Sequence, residues 1–217
     1  MSSANLGTKN APQTDKATQR KWDNAAKAFD FMTGIGPDKR WGPYKSLMLA
    51  NMNADADILF LALGTGLDIQ FFPPQRNIQA IDISPKMLEN AQARIDQYDG
   101  SINAQTMDVH QMSFEAEQFD QVFTSCTFCS VPNPIGGLKA LYQVMKPGAD
   151  LYMFEHTGSK HYPFKLMMDL MTPLTRKVGP DMNRTTIDNV QQAGFKIQQI
   201  NNVYLDIVKI IHATKPE

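Results

Sequence analysis

Ile58-Leu59-Phe60-Leu61-Ala62-Leu63-Gly64-Thr65-Gly66 is the stretch that decides the fold. Its short, unbroken apolar run is what a strand buried on both faces of a parallel sheet requires. The glycines that end it let the backbone turn sharply and approach a ligand closely. Outward from this point the grammar repeats. Residues 78–83 read as a second strand, followed by Ser84-Pro85, a serine cap with proline in the first turn, and a helix over 86–98. Residues 104–107 form a third strand ending at Asp108, and 119–125 a fourth. A helix over 136–145, stopped by Lys146-Pro147-Gly148, leads to a fifth strand over 151–154 that ends at Glu155-His156. After an insertion, 185–193 is helical, and 195–200 and 203–213 close the sheet as an antiparallel pair. Upstream, Trp22, Ala25, Ala26 and Phe29 recur at helical spacing from Lys21. Gly34-Ile35-Gly36-Pro37 breaks that helix, and a second runs over 41–52. The pattern predicts an α/β, Rossmann-like fold: a mostly parallel seven-stranded sheet with an antiparallel last strand, N-terminal helices and a helical insertion before the last strands.

The 217 residues suit one domain, over 20–217, behind a polar, flexible tail at 1–19. With 42% hydrophobic residues a sizeable core is available, and a net charge of -1 argues against nucleic acid as a partner. Cys126 and Cys129 are the two cysteines, too few for a disulfide framework, so a cytoplasmic location is expected. No apolar run reaches the ~18–20 residues of a membrane-spanning helix, and the N-terminus has no signal-peptide core. Oligomeric state is not legible.

In a doubly wound sheet, ligands bind beyond the carboxyl ends of the strands, where strand order reverses. That rule gathers scattered residues into one site. Gly64, Thr65 and Gly66 form a turn after the first strand. Asp82, with Ile83 beside it, ends the second and can accept both hydroxyl hydrogens of a ribose. Asp108 can accept from an adenine amino group, with Met107 and Val109 packing the base. Each signal has a plainer reading, a tight turn for Gly-Thr-Gly and a helix cap for Asp108. Their order along the chain carries the inference.

With these residues in place, the chain resembles the class I SAM-dependent methyltransferases (SAM, S-adenosyl-L-methionine) from about Trp22 to its C-terminus. The blocks that carry the resemblance are ILFLALGTGLDIQFFP (58–73), IQAIDISPKMLENA (78–91), FDQVFTSCTFCSVPNP (119–134) and LYQVMKPGADLYMFEH (141–156). Within that superfamily it is similar to thiol S-methyltransferase-like proteins and to soluble bacterial phosphatidylethanolamine N-methyltransferases. The resemblance implies SAM as cofactor and S-adenosyl-L-homocysteine as product. Gly64 and Gly66 would then lie against the methionine part, Asp82 would hold the ribose, and Asp108 and Val109 would flank adenine. Ser125 and Cys126 would line the methyl-transfer mouth, and Trp22 and Phe29 would belong to a helix that closes over the cofactor.

One departure matters. The family's first motif, acidic-x-Gly-x-Gly-x-Gly, has Phe60 and Ala62 here at the acidic and first glycine positions. Alanine suits that glycine position only if its φ is negative. Either Asp68 takes over the contact to the methionine ammonium, or SAM binding is weakened, which leaves open a degenerate fold acting as a non-catalytic binding module.

His156 is the catalytic candidate, able to take a proton or orient the acceptor, against a plainer reading as a backbone-bonded strand-end residue. His110 and His161 read as surface or loop residues and His212 as structural. The histidines lack metal-ligand spacing and the cysteines make only one pair, so no metal is expected. Residues 157–184 are rich in Phe, Leu and Met with interspersed Lys and Arg. They read as a helix on the sheet edge or a lid over an apolar acceptor, with possible peripheral membrane contact. The expected acceptor is the sulfur or nitrogen of a small apolar molecule or phospholipid head group, with quinone-type C-methylation as the alternative.

Overall fold

The computed structural model describes residues 15–34, 37–178 and 181–217. Two helices lead, α1 (Lys16–Gly34) and α2 (Pro37–Leu49), followed by β1 (Ile58–Leu61), β2 (Asn77–Asp82), α3 (Pro85–Asp96), β3 (Ser101–Thr106) and β4 (Phe119–Ser125). Then come α4 (Pro134–Val144), β5 (Met145–His156), α5 (Phe164–Val178), α6 (Thr186–Gln192), β6 (Lys196–Tyr204) and β7 (Val208–Thr214). The strands form one sheet in the order β3-β2-β1-β4-β5-β7-β6. The first five run parallel, and β7 is antiparallel to both β5 and β6. This is the fold class read from the sequence. Strand order reverses between β1 and β4, so the crevice at their carboxyl ends is where this architecture takes a ligand.

The sheet is buried on both sides. In β1, Leu59 and Leu61 join the core with α4 and α6, while Ile58 and Phe60 point the other way, into the core with α2 and α3. Phe60 is 1% exposed and its ring lies 4.9 Å from that of Phe72. Burying such a side chain stabilises the fold by roughly 1.5–3 kcal/mol.

Several boundaries differ from the sequence reading. Strand β5 starts at Met145 rather than 151, because Lys146-Pro147-Gly148 turns within the strand: Gly148 has φ 76 and its N–H donates to the Lys215 carbonyl at 2.9 Å. Helix α1 begins at Lys16, inside the stretch read as tail. Asp15 caps it, one carboxylate oxygen accepting the N–H of Ala17 at 3.0 Å and Thr18 at 3.2 Å. Residues 1–14 of that stretch, and Ile35-Gly36 of the expected helix break, lie outside the described residues. Among the described residues, no helix is long and apolar enough to cross a membrane.

Candidate active site at the strand tips

The turn after β1 opens the crevice. Gly64 has φ 60, and a Cβ built on it would meet nothing within 4 Å, so this residue borders open space. Gly66 has φ 78 for a different reason. A Cβ there would lie 2.9 Å from Ile69 Cδ1 and 3.2 Å from Ala91 Cβ, so glycine is what lets the loop pack on α3.

Ala62 departs from the condition set by sequence, because its φ is 58. The backbone is left-handed there, and alanine carries a strain of roughly 1–2 kcal/mol. Cys126, just after β4, has φ 52. Both strands that flank the switch point thus end in a left-handed, non-glycine residue, a placement typical of binding and catalytic sites.

Asp82 organises the next tip. Its Oδ2 accepts the Gly64 N–H at 2.8 Å and its Oδ1 accepts the Ser84 N–H at 2.8 Å, so the carboxylate ties β2 to the turn after β1. Burial raises its pKa from 3.8 to about 6, against these hydrogen bonds, which favour the ionised form. A carboxylate has about four acceptor sites, so these bonds leave capacity for a hydroxyl donor. Ile83 is half-buried, and its carbonyl accepts from the Gln19 side chain at 3.0 Å.

Asp108 follows β3 as the cap of a short 3-10 turn over Val109–Gln111. Its Oδ1 accepts the His110 N–H at 2.9 Å and lies 2.8 Å from His110 Nδ1, and its Oδ2 accepts the Asp15 N–H at 3.1 Å. Burial opposes its ionisation, but the hydrogen bonds outweigh it and its pKa falls below the ordinary value. The capping role considered for Asp108 is the one seen. Val109 is buried in the core beside α4. Asp68, the proposed stand-in for the missing acid, is buried and ion-paired to Lys45 at 2.8 Å.

Sequence reasoning missed a polar stripe along α1. Besides Asp15 on Asp108 and Gln19 on Ile83, Asp23 accepts from Ser84 Oγ at 2.6 Å, and the Ala26 carbonyl accepts from Asn90 at 2.9 Å. Asp30 pairs with Arg94 at 2.8 Å and accepts from the Thr65 hydroxyl, while Arg94 also donates to the Thr65 carbonyl at 2.8 Å. Residues 15, 19, 23, 26 and 30 share one helix face, so the spacing was there to be read. Trp22 and Phe29 meet edge to face at 6.3 Å on the same helix.

Beyond β4 and β5 lies a different environment. Ser125 is half-buried and Cys126 exposed. Glu155 is fully buried, and its Oε1 accepts the N–H of Thr127 at 2.9 Å and Phe128 at 3.0 Å, which holds the turn after Cys126. Burial raises its pKa from 4.5 to about 7. Its Oε2, His156 Nδ1, Arg184 Nε and Thr186 Oγ1 are buried with no hydrogen-bond partner among the described residues. Burial also lowers the His156 pKa from 6.5, so the imidazole is neutral at neutral pH. Burial pushes the Cys129 thiol well up, which keeps it protonated. Among the described residues, no group of three His, Cys, Asp or Glu side chains is arranged to hold a metal.

The sheet order, with its last strands antiparallel, is the Rossmann-like fold of solved methyltransferase structures. Residues 59–153 match the family described as "Methyltransferase domain". Over that span, just under half of its length, the chain is similar to the class I SAM-dependent methyltransferases. It is 28% identical over 156 residues to the ubiquinone/menaquinone biosynthesis C-methyltransferase UbiE of Geotalea daltonii, covering 68% of this chain and 66% of that protein. It is 27% identical over 160 residues to the thiol S-methyltransferase TMT1B of Rattus norvegicus, covering 70% and 65%. The chain therefore spans just under two thirds of either relative's length. Among solved structures, the [4+2]-cyclase SpnF superposes with a TM-score of 0.72 at 14% identity, covering 95% of this chain and 97% of that one. That likeness is one of fold.

Proposed function

We propose that this chain transfers the methyl group of SAM to sulfur or nitrogen of a small apolar molecule or phospholipid head group, in the cytoplasm. The observation that carries the reading is the Gly64–Asp82 hydrogen bond. It sets an open glycine and a ribose-competent carboxylate side by side at the switch point. The residues fit an adenosyl cofactor: Gly64 leaves room for it, Asp82 retains acceptor capacity, and Thr65, Gly66, Ile83, Val109, Ser125 and Cys126 border the same row of tips.

Bound SAM supplies a methyl group already activated by the sulfonium charge. The chain has to align the acceptor and exclude water. In this reading residues 157–184 cover the acceptor, and His156 takes the acceptor's proton at the unpartnered Nδ1, which its neutral form allows. Asp68 supports the methionine end of the site together with Lys45.

The relative UbiE favours a second reading, methylation of carbon in a quinone-type ring. Ala62 and Phe60 favour a third, a binding module without turnover. Product assays over thiol, amine and quinone panels separate the three. Transfer to thiols or amines, reduced about 10²–10⁴-fold by His156→Ala, supports the proposal. Methylated quinone alone, or full activity of His156→Ala, contradicts it in the acceptor or in the base.

A further inference from the structure

Helix α5 buries one stripe and presents the opposite one to solvent. Met168 and Thr172 are buried, at 2% and 4% exposure, whereas Leu170 is 72%, Leu166 52%, Met167 49% and Met171 43% exposed. Tyr162, ahead of the helix, is 74% exposed and Phe164 37%. An amphipathic helix on a globular protein ordinarily turns its apolar face inward, and a contiguous outward apolar face marks a docking surface.

Charge says which surface. Residues 157–184 hold Lys160, Lys165, Arg176, Lys177 and Arg184 against Asp169 and Asp181, a net charge of +3 in a chain whose total is -1. The rest of the molecule is therefore acidic, at -4. A second copy of the chain would bring the same positive segment against itself. Residues 1–14, MSSANLGTKNAPQT, are too polar to cover such a face. An outward face of Leu, Met, Phe and Tyr in a locally basic segment has the chemistry of an interfacial helix.

We propose that α5 docks this protein on an anionic phospholipid surface, with Leu166, Leu170 and Tyr162 at the acyl boundary and the exposed Lys160 and Lys165 at the head groups. The chain leaves the sheet toward α5 from the carboxyl end of β5, the edge that carries Glu155 and His156. Docking through α5 thus sets the acceptor side of the crevice toward the lipid. Lys165 also pairs with Asp169 at 2.6 Å, and anionic head groups would compete for that lysine.

The test needs neither cofactor nor acceptor, so its failure is distinct from failure of the methyl-transfer reading. The full chain is pelleted with phosphatidylglycerol-containing vesicles and with pure phosphatidylcholine vesicles, at about 0.1 M salt where charges are felt over about 10 Å. Association with the anionic vesicles is expected, weakening with added salt and falling at least about tenfold in Leu166→Glu/Leu170→Glu. That variant changes only exposed positions, and an unshifted unfolding midpoint confirms that it folds. Leu170→Trp should show a blue-shifted emission on vesicle addition. Wild type that stays in the supernatant, a double variant that binds as well as wild type, or tryptophan emission that does not shift would overturn the proposal. So would a dimer that the double variant splits while neither form pellets, which would assign the face to a second copy.

Discussion

At the tips of β1 and β2, both oxygens of Asp82 accept backbone N–H groups, and the stripe on α1 meets the polar atoms around them. At the tips of β4 and β5, only Oε1 of Glu155 is bonded, and its Oε2, His156 Nδ1 and Arg184 Nε are buried without partners among the described residues. A buried polar group left unpaired costs about 1–3 kcal/mol, so several such atoms on and around the end of β5 set this region apart from ordinary core. The difference teaches which half of the crevice is pre-built for a common ligand. The first half satisfies its own polar groups, which suits the proposed cofactor side, while the second keeps unpaired polar atoms, which suits the proposed acceptor side.

The largest effect expected from breaking this division comes from Phe60. Giving it back the family's acid, as Phe60→Glu, puts a carboxyl into the packed face against Phe72. Loss of more than about 4 kcal/mol in denaturant unfolding is expected, with no gain in cofactor affinity. A stable variant that binds S-adenosylhomocysteine more tightly would show that the site still has a place for the acid.

Glu155 sharpens the other half. Its pKa is raised from 4.5 to about 7, so between those values the native chain holds more protons than the unfolded one. The group's contribution is fully present below about 4.5 and is lost as pH rises through about 7. Glu155→Gln keeps a carbonyl for the N–H groups of Thr127 and Phe128. It should raise stability at pH 8 by about 1–3 kcal/mol and flatten the pH dependence between 5 and 8. Chemical denaturation across that range checks it, and destabilisation at pH 8 would show that the ionised form is structurally required.

The smallest expected effect is at Ala62. Relief of its left-handed strain, less the extra freedom of glycine in the unfolded chain, should make Ala62→Gly more stable by about 0.5–1 kcal/mol. A lowered thermal midpoint would mean that the methyl group packs usefully.

Much of the first half was legible because its signals are local. The apolar run 58–63 ending at Gly64, and Ser84-Pro85 after Asp82, state strand, turn and helix start within a few residues each. Ala62 was legible as a departure, although its φ was not, since the turn's geometry is imposed by the strands around it. What the sequence hid was long-range pairing. Lys45 with Asp68, Arg94 with Asp30, and Glu155 beneath the 127–128 backbone are partners that only the folded chain brings together. The start of β5 was hidden for the opposite reason. Lys146-Pro147-Gly148 is a strong local turn signal, and pairing with the last strand draws it into the sheet.

The claim on which the rest stands is that the Gly64–Asp82 tip grips the adenosyl group, and calorimetric titration with S-adenosylhomocysteine tests it most directly. Binding near pH 7.5 is expected to weaken as pH falls through about 6, where Asp82 takes up a proton. Asp82→Ala should lose about 10²-fold in affinity, as two charge-assisted hydrogen bonds disappear. Wild-type affinity in a folded Asp82→Ala protein, or no binding by the wild type at any of these pH values, would contradict the account.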